Sequence, residues 1–554
     1  MTCDACASHV TAALEGVPGV VAAEVPNWKS GRAVVTVSAD AGVTGNSLVE
    51  ALRAAGYEAS SKATSPSAVG ASAGPSSNWN SGRSDYDLAV IGTGAGGMAA
   101  AIKAAEMGRS VCVIEKGTVG GTCVNIGCVP SKTLIRASEA YHRAGHHPFR
   151  GFQTRVEDLD WGAVIAQKDQ LVSSLRQAKY VDVLASYERR IKLMTGRARI
   201  LPDGNIGLDD GRICKAAKII IATGASPAIP PIEGVENVEV LTSTSAMDLR
   251  EQPRSIVVIG GRFVALELGQ TFARFGTEVT ILQRSVRLIP EHEPEIAEAL
   301  TGYLRGEGLR IYTGVQIVRI KQEGREKVVA ALVDGREREF RADHVLMATG
   351  RTPNTHGMDL DAAGVELDRQ GFILVDDHLK TSNPRIYAAG DVTNRPKLVY
   401  VAAAAGGIAA ENALNGNHKK LDLTAMPDVI FTDPQVATAG LTEAEARKLG
   451  HRVEVSMLPL SHVPRALAAR DTRGLIKLVS DGESGRLLGA QVLAAEAGEV
   501  IQTAALAIKW GKQYGFTYRD LAEMLFPYLT QVEGIKLAAL AFNKDVSRLS
   551  CCAG

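Results

Sequence analysis

Short apolar runs that end in glycine set the rhythm of this chain. Tyr86–Ile91 leads straight into Gly92-Thr93-Gly94-Ala95-Gly96-Gly97, and an alanine-rich stretch carries on to Glu106. A second apolar run, Ser110–Glu115, follows. The order predicts strand, tight turn, helix, strand. It recurs as Ser255–Ile259, then Gly260-Gly261-Arg262-Phe263-Val264-Ala265, a helix to Phe275-Gly276, and a strand at Glu278–Leu282. Ile219–Gly224 and Ile386–Asp391 read as further strand-and-turn pieces, and residues 121–140 and 155–196 read as helical. The stretch Val399–Ala410 is Ala- and Gly-rich and ends at Glu411. It is too short to span a bilayer and reads as a helix packed inside a protein.

The first 62 residues follow a different pattern. Val10, Ala13, Leu14 and Val17 share one helix face, and Pro18-Gly19 ends it. Val20–Val25 and Ala33–Val37 read as strands, Ser47–Ala55 as a helix and Tyr57–Ala59 as a last strand, giving a βαββαβ order. Residues 63–83 are rich in Ser, Ala, Gly and Pro and read as a flexible linker. The fold expected is α/β: a small ferredoxin-like βαββαβ domain (1–62), the linker (63–83), and two Rossmann-like nucleotide-binding domains. The first of these is built from 84–226 with a return segment at 349–424, and the second is 227–348. An α+β domain at 425–554 completes the chain.

Charge narrows the class. Lys+Arg and Asp+Glu both number 61, so nothing points to nucleic acid or a membrane surface. Residues 1–25 lack a basic-then-apolar leader pattern. A cytoplasmic enzyme with no membrane insertion is the expectation.

Candidate chemistry lies in the cysteines. Of the eight, six fall in close pairs: Cys3 with Cys6, Cys123 with Cys128, Cys551 with Cys552. Cys112 lies inside a strand and reads as core, and Cys214 receives no role. Cys123 and Cys128 follow a nucleotide-binding loop and begin a helical stretch, whose unpaired amides favour a thiolate. A redox pair is the reading, with a buried structural disulfide as the alternative. Cys3 and Cys6, two thiols at i and i+3 beside a helix, can grip one soft ion. A redox CxxC is the rival reading, though the long βαβ context is missing. Adjacent Cys551 and Cys552 close a disulfide only with strain, but both can hold a soft ion. The alternative is an incidental tail.

In the first nucleotide loop Gly92 makes the turn, Gly94 admits a pyrophosphate, and Gly97 lets helix and strand pack. Glu115 stands where a ribose hydroxyl needs an acceptor. In the second loop Gly260 is kept, Arg262 replaces the second glycine and Ala265 the third. Gln283 takes the place of the ribose-binding acid, and Arg284 and Arg287 follow. They suit a 2′-phosphate, hence NADPH, unless both are merely solvated.

The run Gly120-Gly121-Thr122-Cys123-Val124-Asn125-Ile126-Gly127-Cys128-Val129-Pro130-Ser131-Lys132 resembles the signature of the flavin-linked disulfide reductases, over roughly residues 84–554. The resemblance implies bound FAD, with Gly117, Thr122, Lys132 and Ala198 near it, Asp391 accepting from the ribityl chain and Val399 close by. It also implies a homodimer through the C-terminal domain. One departure is decisive. That family carries an acid-base histidine five residues before a glutamate. Aligned on Glu533, this chain has Tyr528 there, and a phenol with a pKa of about 10 is a poor base near neutrality.

The N-terminal Met1-Thr2-Cys3-Asp4-Ala5-Cys6 resembles heavy-metal-associated domains. Together with the Cys551-Cys552 tail, it makes the chain resemble the mercuric reductases, a branch of the same family. In that branch a tyrosine in a run similar to Ala178-Lys179-Tyr180 reaches the metal, although a helical tyrosine is usually only packing. The resemblance implies NADPH-dependent reduction of Hg(II) to Hg(0) through FAD. Hg(II) would pass from Cys3 and Cys6 to the tail pair and then to Cys123 and Cys128. Cys128 would face the flavin and Cys123 would be the outer thiol. Hg(II)–thiol complexes and a mercury transport protein are the implied partners. The alternatives are a thiol-disulfide reductase of the glutathione reductase or dihydrolipoamide dehydrogenase type, and a metal-sequestering protein.

Overall fold

The computed structural model describes residues 4–25, 33–37, 43–57, 59, 84–545 and 548. They fall in two units, Met1–Asn78 and Trp79–Gly554. The linker 63–83, Cys3, Cys551 and Cys552 lie outside the described residues.

In the first unit the helix Asp4–Glu15 is followed by antiparallel strands Val20–Glu24 and Val34–Val37 and the helix Gly45–Ala54. The second helix starts at Thr44, whose side chain and that of Ser47 cap each other's backbone amides. Val10 and Leu14, from the apolar face read in the sequence, are buried together with Ala23. Of the outer strands expected for βαββαβ, the first falls on undescribed residues. At the other end Tyr57 and Ala59 are not in a strand, and Glu58 is not described.

Three larger sheets organise the second unit. The first has five parallel strands in the order Ile386–Ala388, Ala216–Ile221, Tyr86–Ile91, Val111–Glu115, Ile191–Thr195. Its central strands are Val/Ile runs buried on both faces, as a helix-covered parallel sheet requires. The helix Ala95–Glu106 packs on the helix Val399–Asn415. A Cβ on Gly406 would lie 2.0 Å from the Gly96 carbonyl oxygen, so the Ala/Gly content of the second helix serves close packing. The second sheet has parallel strands ordered Arg310–Thr313, Glu278–Gln283, Ser255–Ile259, His344–Met347, beside an antiparallel meander spanning Gln316–Ala342. The third is antiparallel: Pro427–Ile430, Gln435–Gly440, Leu487–Ala494, Leu475–Asp481, Val453–Pro459.

Two of the helical expectations are corrected. Residues 121–140 are not one helix, because the chain breaks at Gly127 between helices Gly121–Ile126 and Cys128–Gly145. Residues 155–196 are only partly helical. The helix Trp161–Arg176 begins where the Asp160 carboxylate accepts from the Ala163 amide at 2.9 Å. It passes through a π-turn, Gln177–Val181, and a short helix, Asp182–Ser186. Ile191–Thr195 then joins the first sheet beside Val111–Glu115, where sheet pairing overrides local helical preference.

Buried ion pairs tie the region of the second sheet to that of the third. Lys477, 2% exposed, reaches Glu293 at 2.9 Å, Glu295 at 3.1 Å and Glu443 at 2.9 Å. Arg274 pairs with Glu307 at 2.7 Å and Asp433 at 3.0 Å, and Arg473 meets Asp433 at 3.1 Å. Buried charges of this kind persist only when paired, so each one holds its partners' elements in place.

Candidate active site

A double glycine lays the cysteine loop on the first nucleotide loop. Gly120 and Gly121 have φ of +106° and +63°, where a side chain is strained. A Cβ on Gly121 would stand 2.5 Å from the Gly94 Cα. The break at Gly127 then decides the chemistry. In a straight helix, residues five apart point about 140° away from each other, so the thiols of Cys123 and Cys128 would diverge. The reversal at Gly127 packs its own backbone against Cys123, so that a Cβ there would be 3.3 Å from the Cys123 Cα. Cys128 thereby becomes the first residue of its own helix.

Both cysteines are free thiols, partly buried. The hydrogen bond from Cys123 is the chief cause that brings the Cys128 thiol down to about 7, helped by the positive charge of Lys132 and opposed by burial. The same hydrogen bond, with burial, pushes Cys123 up. One proton is thus held on Cys123, and Cys128 is the thiolate of the pair.

Lys132 lies one turn further along. Its Nζ is 2.7 Å from Glu267 Oε2 and 4.4 Å from the centroid of the Phe431 ring. Buried Glu267 also accepts from the Phe431 amide at 3.1 Å. Three regions therefore meet beside the cysteines: the helix Cys128–Gly145, the helix Phe263–Arg274 and the segment that follows the edge strand Pro427–Ile430 of the third sheet. The sequence reading missed Glu267 and Phe431. A glutamate on the apolar face of a helix was the available signal.

Tyr180 is brought to the pair within the same chain. It sits in the π-turn, half-buried, and a Cβ on Gly120 would be 3.4 Å from its Cγ. Burial, then the charges of Cys123 and Cys128, raise its pKa, so it keeps its proton at neutral pH. Tyr528 stands in the C-terminal domain, half exposed, among the exposed apolar side chains of Met524, Leu525 and Leu529.

The nucleotide loops fit their groups. In the first, a Cβ on Gly92 would lie 2.4 Å from the Ala222 oxygen and one on Gly97 2.0 Å from the Gly92 oxygen, so neither position admits a side chain. A Cβ on Gly94 would meet nothing nearer than 3.9 Å. This open cradle lies at an N-terminus with no side-chain cap, which suits a pyrophosphate. Glu115 Oε2 accepts from Thr93 Oγ1 at 2.6 Å and Oε1 from the Gly117 amide at 2.8 Å. Ala198 is buried, Thr122 partly so, Gly117 is exposed, and Val399 opens its helix at the surface. Burial raises the Asp391 carboxyl, and Arg351 Nε lies 3.4 Å away.

In the second loop a Cβ on Gly260 would be 2.3 Å from the Ala348 oxygen. Arg262 occupies the N-cap at φ −118° and ψ −163°, extended backbone that any residue adopts, which explains how an arginine replaces glycine there. Arg284 is exposed. Arg287 Nη2 instead donates to the Pro290 carbonyl at 2.7 Å and is held by its own loop.

Comparison with known proteins agrees with this geometry. Residues 86–406 match the pyridine nucleotide-disulphide oxidoreductase family, 426–539 its dimerisation domain, and 1–58 the heavy-metal-associated domain. The mercuric reductase of Staphylococcus aureus is 46% identical, covering 100% of this chain and 98% of its own. That of Shigella flexneri is also 46% identical, covering 100% and 99%. Among solved structures, the flavoprotein disulfide reductase RclA from Escherichia coli, in a Cu(II) complex, superposes with a TM-score of 0.73 at 28% identity, over 82% of this chain and 98% of its own. LpdA from Mycobacterium tuberculosis gives 0.73 at 27%, over 82% and 98%. The chain belongs to the pyridine nucleotide-disulphide oxidoreductase family and, within it, to the mercuric reductases.

Proposed function

We propose that the chain reduces Hg(II) to Hg(0) with electrons from NADPH, by way of FAD and the Cys123–Cys128 pair. The observation that carries this reading is the pair itself: a thiolate at Cys128 and a proton held on Cys123, with the Tyr180 ring packed by Gly120 at the start of the same loop. Two thiols are a complete site for a soft two-coordinate ion. When bound, the flavin relays a hydride equivalent from the nicotinamide as two electrons to the metal. The residues supply the rest. Cys123, the outer thiol, takes the incoming Hg(II)–thiol complex first, and its proton leaves on the displaced thiol. The Cys128 thiolate then displaces the second thiol and completes the two-sulfur site. Tyr180 donates to a ligand of the metal. Lys132, held by Glu267, keeps a fixed positive charge beside the pair.

Cys3 and Cys6 capture Hg(II), and Cys551 and Cys552 relay it inward. The backbone of Cys6 lies in the first turn of the helix Asp4–Glu15, the placement expected for capture. Each transfer exchanges one thiolate for another and never frees the ion. The dimer forms through the C-terminal domain, which exposes Tyr514 at 73% and Leu525 at 95%, apolar surface that a partner copy would cover. No described helix is long and apolar enough to cross a membrane. The cytoplasm is the site of action we propose.

Arg284, exposed after the strand, is our first choice for the 2′-phosphate of NADPH, with Arg287, whose Nη2 donates to its own loop and whose Nε has no partner among the described residues, behind it. Tyr528, in place of a histidine base, disfavours a disulfide substrate. The test is NADPH oxidation by the purified protein with HgCl2 in excess thiol and, separately, with oxidised glutathione. Turnover with mercury alone supports the reading, and turnover with glutathione alone overturns it.

A further inference from the structure

A second group of sulfurs lies away from the pairs used above. Cys112, in the strand Val111–Glu115, and Cys214, in the strand Ile213–Cys214, are both free and at most 1% exposed. Their thiols share a hydrogen bond. Cys112 Sγ also donates to Met194 Sδ at 3.2 Å. Three soft donors thus converge at the edge of the first sheet's core, with the Tyr86 phenol, Asp85 and Arg212 near enough to act on them electrostatically. A single buried cysteine acts as a small apolar side chain. Two facing thiols with a thioether beside them are a ligand set.

We propose that Cys112 and Cys214, flanked by the Met194 thioether, form a buried two-thiolate site for a soft divalent ion, with Hg(II) as the ion this chain meets. Charge selects the ion. Two thiolates around a divalent ion make a neutral unit, which burial penalises least. Around a monovalent ion such as Cu(I) they leave a net negative charge in the core, and that is costly. Two thiolates are a complete ligand set for a soft ion that binds two sulfurs.

Entry is through the edge of a sheet. Ile213–Cys214 is a terminal strand of the meander Ala198–Ile200, Ile206–Leu208, Ile213–Cys214, it is only two residues long, and Ile213 is exposed. Local opening of so short an edge is cheap compared with opening the parallel sheet that holds Cys112. Loading is a ligand exchange. A complex Hg(SR)2 loses two Hg–S bonds to its small thiols and gains two to Cys112 and Cys214. The two cysteine protons leave on the departing thiols, and no electron moves.

The proposal rests on the mercury reading only for the choice of ion, and its test reads binding rather than turnover. Full-length, FAD-loaded protein with Cys3, Cys6, Cys123, Cys128, Cys551 and Cys552 all changed to Ala is incubated with Hg(II) as a small monothiol complex, then desalted. We expect one retained Hg(II) per chain, lost when Cys112→Ser and Cys214→Ser are added while FAD content is unchanged. No retention by the folded six-alanine protein, or equal retention by both proteins, overturns the site. Should the six-alanine protein fail to fold, amide exchange in the unaltered protein decides. Mercury loading should slow exchange at Ile213 and Cys214, and no slowing overturns the proposal.

Discussion

At the scale of single residues, the site works by one shared proton. Cys128 is a thiolate near neutrality mainly because Cys123 donates to it. Because the pKa is depressed, the reactive form is present above about pH 7 and is lost as pH falls through that value. Alkylation of Cys128 by iodoacetamide should therefore rise with pH through about 7 in the native dithiol. In Cys123→Ala the midpoint should move up towards the ordinary thiol value of about 8.5. An unmoved midpoint would show that Lys132 alone sets the thiolate. The nicotinamide site makes a second test at this scale. Arg284→Ala should raise the KM for NADPH more than for NADH. A lost charged contact of about 1.5–3 kcal/mol corresponds to roughly ten- to hundredfold. Equal effects on both nucleotides would place the 2′-phosphate elsewhere.

At the scale of elements, what the sequence revealed followed the periodicity. Strands such as Ser255–Ile259 and Tyr86–Ile91 agree with their apolar runs residue for residue, because glycines bound them on one side. Breaks inside helices were not legible. Gly127 looks like any helix glycine until the fold brings Thr122 and Cys123 against it. The π-turn at Tyr180 adds one residue to one turn, a shift of register confined to too few residues to read from the apolar pattern. Glu267 and Phe431 escaped for a related reason, since their meeting with Lys132 spans three regions of the chain. Cys112 and Cys214 likewise meet only through a two-residue strand. The break has a measurable consequence. In Gly127→Ala the new Cβ would lie 2.9 Å from the Thr122 carbonyl oxygen, so the turn must shift. We expect a loss of about 1–3 kcal/mol in stability and a higher Cys128 pKa as the thiols part. Unchanged melting temperature and alkylation profile would contradict this account of the break.

At the scale of the whole molecule, the inner pair, Tyr180 and Glu267 come together within one chain, while Tyr528 sits among exposed apolar side chains of the domain proposed to dimerise. Our reading is that the tail pair of one subunit serves the inner pair of the other. A heterodimer tests it, with one subunit carrying Cys551→Ala and Cys552→Ala and the other Cys123→Ala and Cys128→Ala. It keeps one composite site if delivery crosses the interface, and it should reduce mercury presented on bulky thiols. No activity with that substrate would confine each tail to its own subunit.

The claim on which all of this stands is that mercury is reduced at Cys123 and Cys128. It is tested most directly by collecting volatile Hg(0) from FAD-loaded protein supplied with NADPH and Hg(II) in excess thiol. The unaltered protein should release one Hg(0) for each NADPH oxidised, because each step moves two electrons. Cys123→Ala and Cys128→Ala should keep their FAD and release none. Hg(0) release from either variant at a rate near that of the unaltered protein would contradict the account.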